Sequence, residues 1–235
     1  MQSSFNVNFL GEAIRVAVEG LPITIGVTLV ALVISIPLSF LFATMRMRNI
    51  PIISQLIKVY VSFVRGTPIL IQIFIIYSSI PLMLKMVFEK YDIKYDIYSI
   101  HPIWYAFIIF TFSTTALLVE VFRSALSTVD KGQLEASYAV GLSTFQAYRR
   151  IIIPQMLGAA MPNITNNTIS LIKATSLGYA LSLPEVTLNV KVAANAGYNY
   201  LEAYFVIFIV YLILCSAVEF ALKKYEKYLL RYRIV

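Results

Sequence analysis

A chain with one histidine, His101, and one cysteine, Cys215, has little from which to build a catalytic or metal centre. Metal sites draw on several His, Cys, Asp or Glu ligands, and acyl transfer needs a nucleophile beside a base. HExxH, Gly-x-Ser-x-Gly and a Gly-rich loop ending in Lys-Ser/Thr do not occur. No catalytic residue, metal ligand, cofactor or nucleotide phosphate site is therefore expected. Cys215, within IVYLILCSAV, reads as a small apolar core residue and rules out an internal disulfide. The chemistry that remains is hydrogen bonding and charge. It gathers in a polar run, MPNITNNTISLIKATSLGYA (161–180), and an amphipathic stretch, GQLEASYAVGLSTFQAYRRIIIPQ (132–155).

Both stretches are set in an oily chain. Of 235 residues, 59% are hydrophobic and 13% charged, against about 25% charged in soluble domains. Residues 21–45 carry no charge, and at about 1.5 Å per residue they are long enough to cross a hydrocarbon layer of about 30 Å. Similar segments lie at about 59–84, 102–119, 156–180 and 200–220. The expectation is an all-α membrane protein: one transmembrane domain over 1–235, with five transmembrane helices. Residues 1–20 hold one arginine and two glutamates, a poor signal peptide, and read as an extramembrane or interfacial lead-in. Pro37 is expected to bend or interrupt the first span.

The basic residues orient the chain. Arg46, Arg48, Lys58 and Arg65 lie around the first connection; Arg123, Lys131, Arg149 and Arg150 lie in the third. Lys223, Lys224, Lys227, Arg231 and Arg233 form the tail. With five spans all three groups fall on one side, predicting an outside N-terminus and a cytoplasmic C-terminus. The net charge of +7 thus belongs to membrane topology, and the partner it implies is a lipid bilayer rather than nucleic acid.

The polar run is the least membrane-like of the five segments. Asn163, Thr165, Asn166, Asn167, Thr168, Ser170, Lys173, Thr175 and Ser176 each need a partner at membrane depth. Two readings stand side by side: hydrogen bonding between helices, or a route for solute lined by Asn163, Asn166, Asn167, Thr168, Lys173, Thr175 and Ser176. Lys173 fits the route, and it also fits an ammonium reaching to the interface.

In the amphipathic stretch, Leu134, Tyr138 and Leu142 recur every four residues, one helical face. Asp130 is placed to cap a first short helix. Ser143 and Gln146 have the spacing of a capping box for a second. Two short helices at the membrane face are predicted, serving either as a connector folded onto its own bundle or as a contact surface.

The same residues carry a likeness. Glu135-Ala136-Ser137, Gly141, and Ile151-Ile152-Ile153-Pro154 resemble the EAA loop of bacterial ABC importer permeases. In that pattern Glu-Ala-Ala is followed by three residues, Gly, nine residues, Ile, one residue and Leu-Pro. Ser137 replaces an alanine and Ile153 a leucine, keeping small and aliphatic character. VRGTPILIQIF (64–74), VEVFRSALSTVDKGQLEASYAVGLS (119–143) and SLIKATSLGYALSLPEV (170–186) are similar to the polar amino-acid uptake subfamily. The likeness covers about residues 15–225. It departs at Ala174, where the subfamily has Lys-Asp-Thr-Ser, so a carboxylate is missing near the polar run.

The resemblance implies a multi-pass permease subunit in a bacterial plasma membrane. It would pair with a second permease subunit, identical or homologous. A cytoplasmic ABC ATPase dimer would supply the ATP hydrolysis, and an extracytoplasmic solute-binding protein would deliver an amino-acid substrate. The first loop helix, between spans three and four, becomes a cytoplasmic coupling helix. Glu135, Ala136, Gly141 and Pro154 are the coupling residues, with Glu135 at the ATPase surface and Gly141 supporting the turn. Among amino acids the likeness leans toward cystine or another sulfur-containing one. The alternative is an ion-coupled secondary transporter, which needs an intramembrane carboxylate; Glu120 is the nearest candidate.

Overall fold

The computed structural model describes residues 5–230; Arg231 and Arg233 of the basic tail lie outside the described residues, as does the side chain of Lys131. Every regular element described is helical: α1 (Val7–Met47), α2 (Ile53–Gly66), α3 (Ile69–Lys90), α4 (Pro102–Ser127), α5 (Lys131–Ala139), α6 (Thr144–Ala147), α7 (Ile153–Thr175), α8 (Val186–Asn195) and α9 (Tyr200–Leu230).

The span count is corrected here. Among the described residues four helices, not five, are long and apolar enough to cross a membrane: α1, α3, α4 and α9. The expected fourth span is a helix, α7, of 23 residues. Its asparagines, threonines and Lys173 leave it too polar to count, and it gives way at Ser176 to a 3₁₀ turn. The outside N-terminus and cytoplasmic C-terminus rested on an odd number of crossings, so that orientation does not follow.

Two boundaries also move, and one expected interruption is absent from the first helix. The lead-in belongs to the first helix, because the Asn6 side chain accepts from Phe9 N and α1 starts at Val7. α1 continues through Pro22 and Pro37; the Ser39 hydroxyl bonds the carbonyls of Ser35 and Ile36 beside the second proline. The second span begins at Ile69, since Thr67 is extended and Pro68 has no N–H to continue α2. The buried Gln72 amide spans this break, its Nε2 reaching Val64 O at 2.9 Å and Thr67 O at 3.0 Å.

α1 is the spine. Its buried positions are mostly small, among them Ala13, Ala17, Gly20, Ala31, Ser35, Ser39 and Ala43, which lets neighbouring backbones approach. At Gly20 the approach is so close that a Cβ would lie 2.5 Å from Val186 N. The first third of α1 packs on α8 and α9 through Phe9, Ala13 and Ala17 against Val186, Val190 and Ala203. Its middle joins α3 and α4 around Ile73, Ile109 and Phe110. Its last turns join α4 and α7, with Ala43 beside Phe122 and Met156. That final cluster includes the half-buried Leu134 and Tyr148, so the short helices rest on the end of the bundle.

Candidate functional site

The α4–α7 connection is built from local hydrogen bonds. Thr128 N and Val129 N donate to Ala125 O and Leu126 O, and the Asp130 carboxylate caps α5 by accepting from Gly132 N at 2.6 Å. α5 closes with Gly141 N donating to Tyr138 O at 3.0 Å and Leu142 N to Ser137 O at 3.0 Å. This is the Schellman pattern, which needs a left-handed residue after the cap. Gly141 supplies it at φ +81 with open space where a Cβ would stand; the constraint is backbone conformation, not room. Ser143 and Gln146 then form the expected capping box, with Ser143 N donating to Gln146 Oε1 at 2.9 Å.

After α6 the chain makes a π turn over Tyr148–Ile152, with Ile153 N bonded to Tyr148 O. Pro154 stands in the first turn of α7. Lacking an N–H, it cannot close an ordinary helical bond to residue 150, and a widened turn accommodates the gap.

Polar groups are largely consumed in this scaffold, and what faces outward is mixed. Glu135 and Ala136 are exposed, whereas Ser137, at the substituted alanine, is buried and donates to Gln133 O. Val140 is 75% exposed and Phe145 72% exposed, and Tyr138 is exposed as well. The resulting surface combines a carboxylate, small residues and aromatic rings around a fixed turn. Its exposed groups are of the kinds that make contacts between proteins.

The polar run divides in two. Asn163, Asn166, Ser170 and Lys173 are exposed along one face of α7. Asn167 is half-buried and donates from Nδ2 to Asn163 O at 2.8 Å. Thr168 and Thr175 are buried on the other side, their hydroxyls bonded to Ile164 O and Ile172 O. Ser176 donates likewise to Lys173 O. Thr168 borders an apolar cavity of about 380 Å³ with Ile25, Leu29, Met161 and Leu214. The seven route candidates therefore do not share one wall: Asn163, Asn166 and Lys173 form an outward polar row, and Thr168 and Thr175 belong to the packing.

Two carboxylates matter in ways the sequence did not reveal. Glu185 is completely buried, capping α8 through Thr187 N at 2.8 Å and Leu188 N at 3.0 Å and accepting from Tyr211 Oη at 2.9 Å. Its place after Pro184 was the available helix-start signal. Glu120 is bonded on both oxygens, by Arg46 of α1 and by Arg123 Nε at 2.9 Å. The three-residue spacing to Arg123 was legible; the pairing with Arg46 was not.

Comparison with known proteins fits this arrangement. Residues 35–227 match the family model described as binding-protein-dependent transport system inner membrane component. The chain is 34% identical over 227 residues to the L-cystine transport system permease protein TcyL of Bacillus subtilis (strain 168), covering 97% of this chain and 92% of that one. It is 36% identical over 206 residues to the probable amino-acid permease protein YxeN of the same organism, covering 88% of each. The fold matches a chain in the crystal structure of an amino acid ABC transporter with histidines, with a TM-score of 0.77, 23% identity and coverage of 97% and 99%.

The chain belongs to the family of binding-protein-dependent transport system inner membrane components. It is the permease subunit of an ABC-type amino-acid importer, a multi-pass helical membrane protein and not itself an enzyme.

Proposed function

We propose that the α5–α6 surface is the socket contact through which a cytoplasmic ABC ATPase dimer drives this subunit. The observation that carries this reading is the Schellman turn at Gly141, which holds Glu135, Ala136, Tyr138 and Val140 exposed on a rigid base. Glu135 and Ala136 form the contact, Gly141 holds the turn, and Pro154 places the π turn that joins the contact to α7. The mechanism is alternating access. ATP closes the ATPase dimer and draws the α5 helices of two permease subunits together; hydrolysis releases them. The second permease is a copy or a homologue of this chain, and an extracytoplasmic solute-binding protein delivers the cargo.

The outward row of α7, Asn163, Asn166 and Lys173, faces the route between the two permeases. Amides and an ammonium suit the carboxylate and polar groups of an amino acid. Asn167 and Ser176, half-buried beside that row, complete its edge. The cargo we propose is cystine or a related sulfur-containing amino acid, supported by the likeness to a cystine permease subunit. Ion-coupled transport finds no support at Glu120. A carboxylate held by two guanidinium groups is poorly suited to bind and release a coupling ion.

The test is reconstitution of the permease with its ATPase and binding protein in proteoliposomes. ATP-dependent uptake of labelled cystine, competed weakly by glutamine and arginine, is the expected result. Uptake that persists without the ATPase and follows a sodium or proton gradient would overturn the coupling mechanism; preference for a non-sulfur amino acid would overturn the cargo assignment.

A further inference from the structure

We propose that Glu120 is a positioning residue for energy coupling. By tying the end of α1 to α4 beside the α5 junction, it makes motion of α5 reach the α8–α9 half of the molecule through α1. The proposal rests on the reading of α5–α6 as the ATPase contact.

The geometry begins with an asymmetry of connection. α5 is joined to α4 by only Thr128, Val129 and Asp130, each engaged in a hydrogen bond that tightens the turn. α5 and α4 are thus firmly linked. The last turn of α1 has no covalent link to either, since the chain runs on from Met47 into α2. Among the described residues, three polar side-chain contacts join α1 to α4. Two are deep: the Ser35 hydroxyl donates to Thr111 O at 3.0 Å, and Thr115 Oγ1 donates to Ser35 Oγ at 3.0 Å. The third is Arg46 with Glu120, about three helical turns nearer the α5 junction along α1.

The Arg46 and Glu120 side chains are each only 19% exposed. Their attraction is accordingly less screened than that of a surface pair. Arg123 engages the second carboxylate oxygen at 2.9 Å. Glu120 is therefore oriented from its own helix while it holds the neighbouring one. Two residues further along α4, Phe122 packs on Phe40 and Ala43 of α1 and joins the cluster that reaches Leu134 of α5 and Tyr148 of the π turn. Apolar packing alone resists separation but permits sliding. A charged pair with fixed donors and acceptors resists sliding, because a shift of a few ångström removes its hydrogen bonds.

α1 carries that constraint a long way. It is one helix of 41 residues, about 60 Å. At its far end Gly20 lies against the start of α8, and Phe9, Ala13 and Ala17 pack on α8 and α9. At Gly20 the two backbones approach so closely that no side chain fits between them, which keeps α1 in direct contact with the start of α8. Displacement of α5 therefore has a path to α8 and α9 through α1, and the Arg46–Glu120 tie holds the near end of that path in register with α4.

The test uses the complete importer in proteoliposomes and reads solute moved per ATP hydrolysed. Glu120→Gln keeps the shape and removes the charge. It is expected to lower that ratio at least five-fold while binding-protein-stimulated ATP hydrolysis stays within about two-fold. Arg46→Met should do the same, and Arg46→Lys, which keeps the charge, should recover at least half of the ratio. If Glu120→Gln does not assemble, the two Arg46 variants carry the test. An unchanged ratio in Glu120→Gln and Arg46→Met overturns the coupling role and leaves the functional reading standing. So does a loss of uptake and hydrolysis in equal proportion, the mark of a purely structural residue. Absence of ATP-driven uptake in the unmodified importer overturns both.

Discussion

In the α5–α6 loop, side-chain oxygens of Asp130, Ser137 and Ser143 turn onto the backbone while Val140 and Phe145 stand outside. In α7 the threonine hydroxyls fold onto their own helix, but Asn163, Asn166 and Lys173 stand outside. The loop turns part of its polarity onto its own backbone and exposes Val140 and Phe145 beside Glu135, Arg149 and Arg150. α7 places polarity outward in a molecule whose long helices are otherwise apolar on the outside. Each exposure is the reverse of what its surroundings favour, and such reversals mark surfaces that meet a partner. The partners we propose differ accordingly: a protein groove for the first, a polar solute or hydrated path for the second.

The comparison breaks most severely at Gly141. Valine there must adopt a left-handed backbone, at about 1–2 kcal/mol, and the turn that presents Glu135 shifts. Uptake by Gly141→Val is expected to fall more than ten-fold, with membrane insertion intact and ATPase retention lost in pull-down of the detergent-solubilised complex. Full uptake would remove the turn from the coupling role. The next effect is on the outward row. Asn166→Leu and Lys173→Met should each lower the maximal uptake rate several-fold while leaving ATPase retention unchanged. A Lys173→Met variant with normal uptake would return Lys173 to a membrane-interface role.

Smaller effects sharpen the contrast. Ser143→Ala deletes the capping box at a cost of about 1 kcal/mol. A lower melting temperature of the purified subunit should accompany a drop in uptake of no more than about three-fold. Thr168→Val is expected to be nearly silent, within about two-fold in uptake, since the hydroxyl serves only Ile164 O beside an apolar cavity. An effect equal to that of Asn166→Leu would erase the division of α7 into two faces.

The loop was legible residue by residue because caps and turns are local. Asp130, Gly141 and the Ser143–Gln146 pair act over two to five residues, within the reach of sequence spacing. The polar run was legible only as a composition. Its periodicity does place Asn163, Asn166, Ser170 and Lys173 together. Which side faced outward depended on α1, α4 and α9 packing against the other. The count of five spans failed for a related reason. Length alone makes α7 a candidate span, whereas its polar content sets it apart from α1, α3, α4 and α9.

By itself the sequence determined an all-helical membrane chain, a short capped helix pair between α4 and α7, and, through its motif, the importer family. These follow from composition, hydropathy and contacts between near neighbours, which need no knowledge of the fold. The tertiary structure alone decided the pairing of Arg46 with Glu120, 74 residues apart, the burial of Glu185 against Tyr211, and the approach of Gly20 to Val186. Such contacts depend on how the helices pack, and packing is set by the joint fit of many side chains rather than by any one stretch of sequence.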